Sequence, residues 1–144
     1  MEVWAKHRPA SGEAPYASTY YAHPVACAGA LASLALLEAT EESAAAAAAA
    51  FGTALRPLAD LPAVGQVRQA GLLLAIDVVS DGERRTPDPV RAARVIADLQ
   101  RQGILAIPSG RAGNVVSLLP SRRITITQIE HAAAALHRSL RDAR

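Results

Sequence analysis

Apolar residues are laid unevenly along this chain, and the longest run of them comes early. Residues 25–37 carry no charge, and Ala26, Ala28, Gly29, Ala30, Ala32 and Ser33 are small enough to let a neighbouring backbone approach closely. Pro24 heads the run, where its missing N–H would have had no intrahelical partner and its fixed φ suits a first turn. The pattern predicts a helix starting at His23 or Pro24. An element apolar on every side is either buried all round or spans a membrane. The uncharged run is shorter than the roughly 18 residues that spanning requires, which predicts a core helix.

Further on, the pattern changes period. Thr40 followed by Glu41 and Glu42 predicts a capped second helix with acids at its positive end, and the alanines of residues 44–50 have the highest helix propensity available. Pro57 and Pro62 bracket its end. Residues 64–68 and 72–79 are rich in β-branched and aliphatic residues, with Gly71 at the kink between them, and predict two strands. A polar loop over residues 80–87 leads to Asp88 and Pro89, a cap and first-turn proline. Ala92, Val95, Ile96 and Leu99 then fall at helical spacing, and Gly103 stops the helix. Residues 104–107 and 114–119 predict two more strands about a turn at 108–113. Thr127 and Glu130 have the spacing of a capping box, with Ile129, Ala132, Ala133, Leu136 and Leu140 as the buried face behind it. Helix, helix, strand, strand, helix, strand, strand, helix predicts an α+β fold: a small, mostly antiparallel sheet with helices packed on one face.

Composition narrows the classes. A chain of 144 residues suffices for one domain with a modest core, and 51% hydrophobic with 19% charged residues excludes disorder. Aromatics are only 3%, so the core is built from small residues and calls for a larger neighbour. A net charge of +2, with arginines scattered and not interleaved with aromatics, argues against a nucleic-acid partner. Cys27 is the single cysteine and lies in the apolar helix, which predicts a buried structural thiol and excludes a disulfide framework or a metal cluster. The first residues lack an uninterrupted apolar stretch, so neither a signal peptide nor a membrane partner is expected, and the cytoplasm is the expected location. Residues 1–17, with Pro9, Gly12 and Pro15, predict an irregular arm.

Four local motifs carry a resemblance. Thr19, Ala22 and Pro24 followed by the small-residue helix form the first. Val67, Arg68 and Gly71-Leu72 before the second strand form the next, then Gly103 to Gly110 with Gly113-Asn-Val-Val116, and last Leu118-Leu-Pro-Ser-Arg-Arg-Ile-Thr125. In this order they resemble the C-terminal, small-domain part of class III pyridoxal-phosphate aminotransferases of fold type I, and the resemblance covers essentially the whole chain. Trp4 and Gly12-Glu-Ala14 match a pattern common ahead of the threonine in that family. There this position is mid-chain, so Met1 points to a truncated gene product, a mispredicted start or a deliberate fragment. The implied organisation is an irregular arm and cofactor-phosphate loop over 1–22, a helical segment over 23–60 linking to a large domain, and a small α+β domain over 61–144.

The resemblance also implies roles. Thr19 is the residue that hydrogen-bonds the cofactor phosphate, usually in the partner subunit of a homodimer, and Ser18 beside it is a second donor; an ordinary cap at the head of the helix is the alternative reading. The family's glycine in this motif is Ala22 here. Transamination also needs a lysine that condenses with the cofactor's aldehyde, and the family keeps it upstream of this segment. Lys6 is the only lysine and matches no cofactor-lysine motif, so no catalytic residue is assigned to this chain. Asp77 is given no role. Many members acting on α-amino acids carry an arginine at the position of Ser117, where it forks onto a carboxylate. Arg122 and Arg123 stand where the family is usually apolar; Arg122 is the candidate for a displaced substrate-anion site, with two solvated loop arginines as the plain alternative. The intact enzyme would pass an amino group between an amine or amino acid and a 2-oxo acid, and the chain alone would not. The alternatives are a non-catalytic remnant or interaction domain docking on a full-length paralogue, or part of an aminomutase, racemase or decarboxylase on the same scaffold.

Overall fold

The structure is a computed structural model and describes residues 19–80 and 85–143. Helix α1 is Pro24–Ala39, α2 is Glu41–Leu55, and a short 3-10 turn covers Arg56–Asp60. Strands β1 (Val64–Ala70) and β2 (Leu73–Val78) follow, then α3 (Pro89–Arg101), β3 (Ile107–Ser109), β4 (Val115–Leu118) and α4 (Ile126–Asp142). The order of helices and strands is the one the sequence predicts. All neighbours in the sheet, ordered β1-β2-β4-β3, run antiparallel. Among the described residues no single helix is long and apolar enough to cross a membrane.

The described chain falls into two compact units, one ending at Ala39 and one beginning at Thr40. In the first, α1 forms as expected: Cys27 N–H donates to His23 O (2.9 Å), so His23 is the last residue before the helix and Pro24 the first inside it. The expectation of burial is corrected, since no residue of α1 is buried and the Cys27 thiol is exposed. All-round burial requires neighbours on every side, and the described residues do not supply them.

The second unit begins at Thr40, and α2 belongs to its core. Ala44, Ala47, Phe51 and Leu55 are buried at helical spacing. Ala47, Phe51 and Leu55 join Leu58, Leu74, Ile76, Val78, Val116 and Leu118 with the inner faces of α3 and α4 in one cluster. Leu74, Ile76 and Val78 alternate along β2, so this core lies on one face of the sheet, as predicted. Stripes at Val95, Ile96 and Leu99 and at Ile129, Leu136 and Leu140 bury the helices against it, each side chain contributing about 1.5–3 kcal/mol.

Local chemistry shifts some boundaries. Asp88 caps α3 by accepting from Arg91 N–H at 2.9 Å, with Pro89 in the first turn, as predicted. The end of α3 displaces the third strand. Gly103 (φ +78°) donates to Gln100 O at 3.0 Å and Ile104 N–H to Leu99 O at 2.9 Å, a paired closure of the helix C-terminus. Ile104 has thus spent its N–H, and β3 begins only at Ile107, taking in Pro108 and Ser109 that the sequence assigned to a turn. The capping box is Thr125 with Gln128, not Thr127 with Glu130. Both pairs have the spacing, but Ile129 N–H already bonds Thr125 O at 3.0 Å, which places Thr127 inside the helix. Thr40 precedes α2 without capping it by its side chain.

Candidate functional site

Three places in the chain hold the polar groups the sequence singled out, and the structure brings only some of them together. The first is the turn over residues 19–22 that leads into α1. Thr19 is exposed there, beside Tyr20 and Tyr21 at 81% and 63% exposure. His23 N–H donates to Tyr20 O at 3.4 Å, and Ala22 closes the turn at φ +57°. That left-handed backbone is what glycine serves without strain, so Ala22 performs the turn of the motif's glycine at a cost of about 1 kcal/mol. The first-turn N–H groups of α1 have no partner within the helix, and no acid stands in that turn. An exposed hydroxyl at the positive end of a helix free of first-turn acids suits a phosphate dianion. Ser18, Lys6, Trp4, Gly12, Glu13 and Ala14 lie outside the described residues.

The second place is the sheet face opposite the core. Register puts Arg68, Ala75, Ser117 and Ile107 in one row across the four strands, and Gln66, Asp77, Val115 and Ser109 in the next. Arg68 forks onto Asp77, NH1 to Oδ2 at 2.6 Å and NH2 to Oδ1 at 2.7 Å. The Ser109 and Ser117 hydroxyls lie 2.6 Å apart, half-buried, and share a hydrogen bond. Sequence reasoning left Asp77 without a role and took no notice of Ser109. The available signal was period-two placement of polar residues in strands whose alternate positions are apolar. At the start of β4, buried Asn114 donates through Nδ2 to Val78 O at 3.0 Å, and its own carbonyl accepts from Val78 N–H at 2.9 Å. These two bonds tie β4 to β2 and hold Ser117 in register.

The third place is the loop before α4. Arg122 is half-buried and donates from Nε to Thr40 Oγ1 at 3.0 Å, so Thr40 serves as an acceptor in place of a cap. The guanidinium lines a cleft of about 730 Å3 with Glu41, Ala44, Gly71, Leu73 and Pro120. Arg123 is exposed, as the plain reading had it.

A separate polar cluster joins α3 to α4. Asp98 accepts from the Ser139 hydroxyl, from Gln102 Nε2 at 2.8 Å and from Arg101 at 3.0 Å, while Arg138 donates to Gln102 Oε1 at 2.9 Å. The Ser139 bond, then Arg101 and Gln102, outweigh desolvation and hold the Asp98 carboxyl below its usual value. Every member has a partner within the fold, so the cluster is a seam between helices. Among the described residues no group of acids, histidines and cysteine is placed to hold a metal ion.

Comparison with known proteins gives one answer. The family profile described as Aminotransferase class-III matches residues 2–140. The chain is 38% identical over 117 residues to the adenosylmethionine-8-amino-7-oxononanoate aminotransferase of Nitratidesulfovibrio vulgaris, covering 78% of this chain and 21% of that protein. It is 30% identical over 128 residues to the probable 4-aminobutyrate aminotransferase of Bacillus subtilis, covering 85% and 29%. The crystal structure of the adenosylmethionine-8-amino-7-oxononanoate aminotransferase of Methanocaldococcus jannaschii superposes with a TM-score of 0.82 at 32% identity, over 92% of this chain and 31% of that one. An amine transaminase from an uncultivated Pseudomonas species, solved with PLP bound, superposes at 0.80 with 34% identity, over 90% and 30%. The chain therefore spans about a fifth to a third of the length of these relatives.

Proposed function

Because the chain belongs to the class III aminotransferases, we propose that it is the C-terminal portion of a pyridoxal-phosphate-dependent enzyme moving an amino group between an amine or amino acid and a 2-oxo acid. The observation that carries the reading is the Thr19 turn, an exposed hydroxyl held by a left-handed Ala22 at the head of a helix with no first-turn acid. Thr19 would hold the cofactor phosphate, with Ser18 as its companion, and the homodimer expected of the family would place this turn against the partner's site. When bound, pyridoxal phosphate supplies the aldehyde that takes up the amino group and the ring that spreads negative charge.

The residues of this chain bind and orient. The helix-free sheet face forms one wall of the substrate pocket, kept in register by Asn114, and shields that side of the reacting carbon from water. Arg122 lies at the rim as an anion-binding group steadied by Thr40. The reacting lysine comes from outside residues 19–143, which contain none. The exposure of all sixteen residues of α1 supports this division, since α1 offers the surface on which the larger domain would pack. We place the assembled enzyme in the cytoplasm.

The test is a hybrid enzyme in which residues 19–143 replace the matching segment of the Methanocaldococcus jannaschii relative. Thr19→Ala should weaken cofactor binding about ten- to a hundredfold, the range for a hydrogen bond to a charged group, and Thr19→Ser should retain it. A cofactor Kd unchanged in Thr19→Ala would refute the assignment.

A further inference from the structure

Thr40 is the single residue between α1 and α2. Helices are stiff and the backbone has two soft dihedrals per residue, so the freedom of α1 to swing is concentrated at this position. Its φ and ψ, −112° and 10°, lie off the helical values. On the α2 side Thr40 is tied through its carbonyl, which accepts from Ala44 N–H at 2.9 Å and from the Ser43 hydroxyl at 3.0 Å. Its side chain is tied elsewhere, by Arg122 Nε at 3.0 Å from Oγ1. A threonine has few χ1 states, and the one allowed depends on φ and ψ, so holding Oγ1 narrows the backbone as well.

The anchor is itself held in place. Ile124 N–H donates to Ser121 O at 3.0 Å and Arg123 N–H to Ser121 Oγ at 3.2 Å, and the Thr125 capping box follows at once. Arg122 and Thr40 are both half-buried, and a charged donor strengthens the bond between them. Arg122 stands where the family is usually apolar, and an apolar side chain cannot make this bond. The consequence is amplified by length. With 16 residues α1 is about 24 Å long, so a change of about 10° at Thr40 carries its head about 4 Å, more than a hydrogen bond spans.

We propose that Arg122 is a positioning residue for the cofactor-phosphate turn: by holding Thr40 Oγ1 it fixes the residue on which α1 pivots, and through α1 it sets where Thr19 comes to rest. The proposal rests on the reading of Thr19 as the phosphate ligand. It is separate from the anion-binding role at the rim, because a guanidinium acting through Thr40 is felt in cofactor binding and needs no substrate.

Two measurements test it. Cys27 is exposed and is the single cysteine, so a nitroxide placed on it reports from α1 alone. In the full chain, its broadening of the amide signals of the second unit should change with Arg122→Leu and in the same way with Thr40→Val, which keeps the guanidinium. Thr40→Ser, which keeps the hydroxyl, should leave the pattern as it was. A pattern indifferent to Arg122→Leu, or one that ignores Thr40→Val, would overturn the proposal. In the hybrid enzyme, Arg122→Leu and Thr40→Val should each weaken cofactor binding about three- to tenfold, the range for one net hydrogen bond, and neither should weaken it further once Thr19→Ala is present. An unchanged Kd in Arg122→Leu, or a full extra loss in the Thr19→Ala background, would show that Arg122 does not act through Thr19 and would sink the proposal. A cofactor Kd that ignores Thr19→Ala would instead count against the proposed function, and the nitroxide pattern would still decide whether Arg122 governs α1.

Discussion

Gly110 and Gly71 show how much one methyl group can matter in this sheet. Both have left-handed backbones, at φ +76° and +58°. A Cβ on Gly71 would meet nothing within 4 Å, but one on Gly110 would lie 2.6 Å from Val115 Cγ2. Gly71→Ala should therefore cost only the backbone term, about 1 kcal/mol, while Gly110→Ala adds a clash and should cost about 2–4 kcal/mol. Urea unfolding of the two variants checks this, and equal losses would contradict the packing at Val115. Single residues were legible in sequence where chemistry is local, as with Asp88 and Pro89 at a helix start. The Ser109–Ser117 pair was not, because it depends on a strand register set by the closure of the preceding helix at Gly103 and Ile104. Arg122 was found as a candidate, but its tie to Thr40 across 82 positions could not be read from neighbours in the chain.

At the scale of elements, the start of α4 gives a sharp contrast. Thr125→Ala removes the cap and should cost about 1 kcal/mol, whereas Thr127→Ala lies on an exposed helical position and should be neutral or slightly stabilising. The reverse ranking by thermal unfolding would restore the later capping box. The seam between α3 and α4 makes stability depend on pH. The folded Asp98 carboxyl has a value below the ordinary 3.8, so its contribution is present above that value and is lost as pH falls through the lowered one. The stability difference between the unchanged chain and Asp98→Asn should hold from neutral pH down to about 4 and shrink as pH is lowered further; a difference that stays unchanged as pH is lowered well below 4 would contradict the assignment. Helix α1 differs from the other helices because nothing in it is buried. Its amides should exchange with solvent far faster than those of α2 to α4 in the isolated chain. Periodicity found α3 and α4, whose stripes are local patterns, while a first-turn proline and a run of alanines marked α1 and α2. What surrounds α1 was beyond reach, because an apolar run says that it must be covered and nothing of where the cover stands.

For the molecule as a whole, the alanine-rich composition had already indicated a core of small side chains that calls for a larger neighbour. A chain that spans 31% of a solved relative, at a TM-score of 0.82, has the same character. The second unit is a sheet with three helices on one face, and its opposite face carries polar pairs at the centre of the sheet, where an independent domain would ordinarily place another layer or plain solvent-facing side chains. Order of elements and family were legible from the sequence; the division at Thr40 was not, because a run of alanines predicts a helix without saying which core its small face serves.

The central claim is that this chain contributes a phosphate-binding turn and a substrate wall to an enzyme whose reacting lysine lies outside residues 19–143. Its most direct test is borohydride reduction of the isolated chain in the presence of pyridoxal phosphate, followed by mass mapping of any fixed cofactor. The account predicts no stoichiometric labelling, with Lys6, the only lysine, reacting no faster than a free amine. Rapid, one-to-one fixation of the cofactor on Lys6 would contradict it.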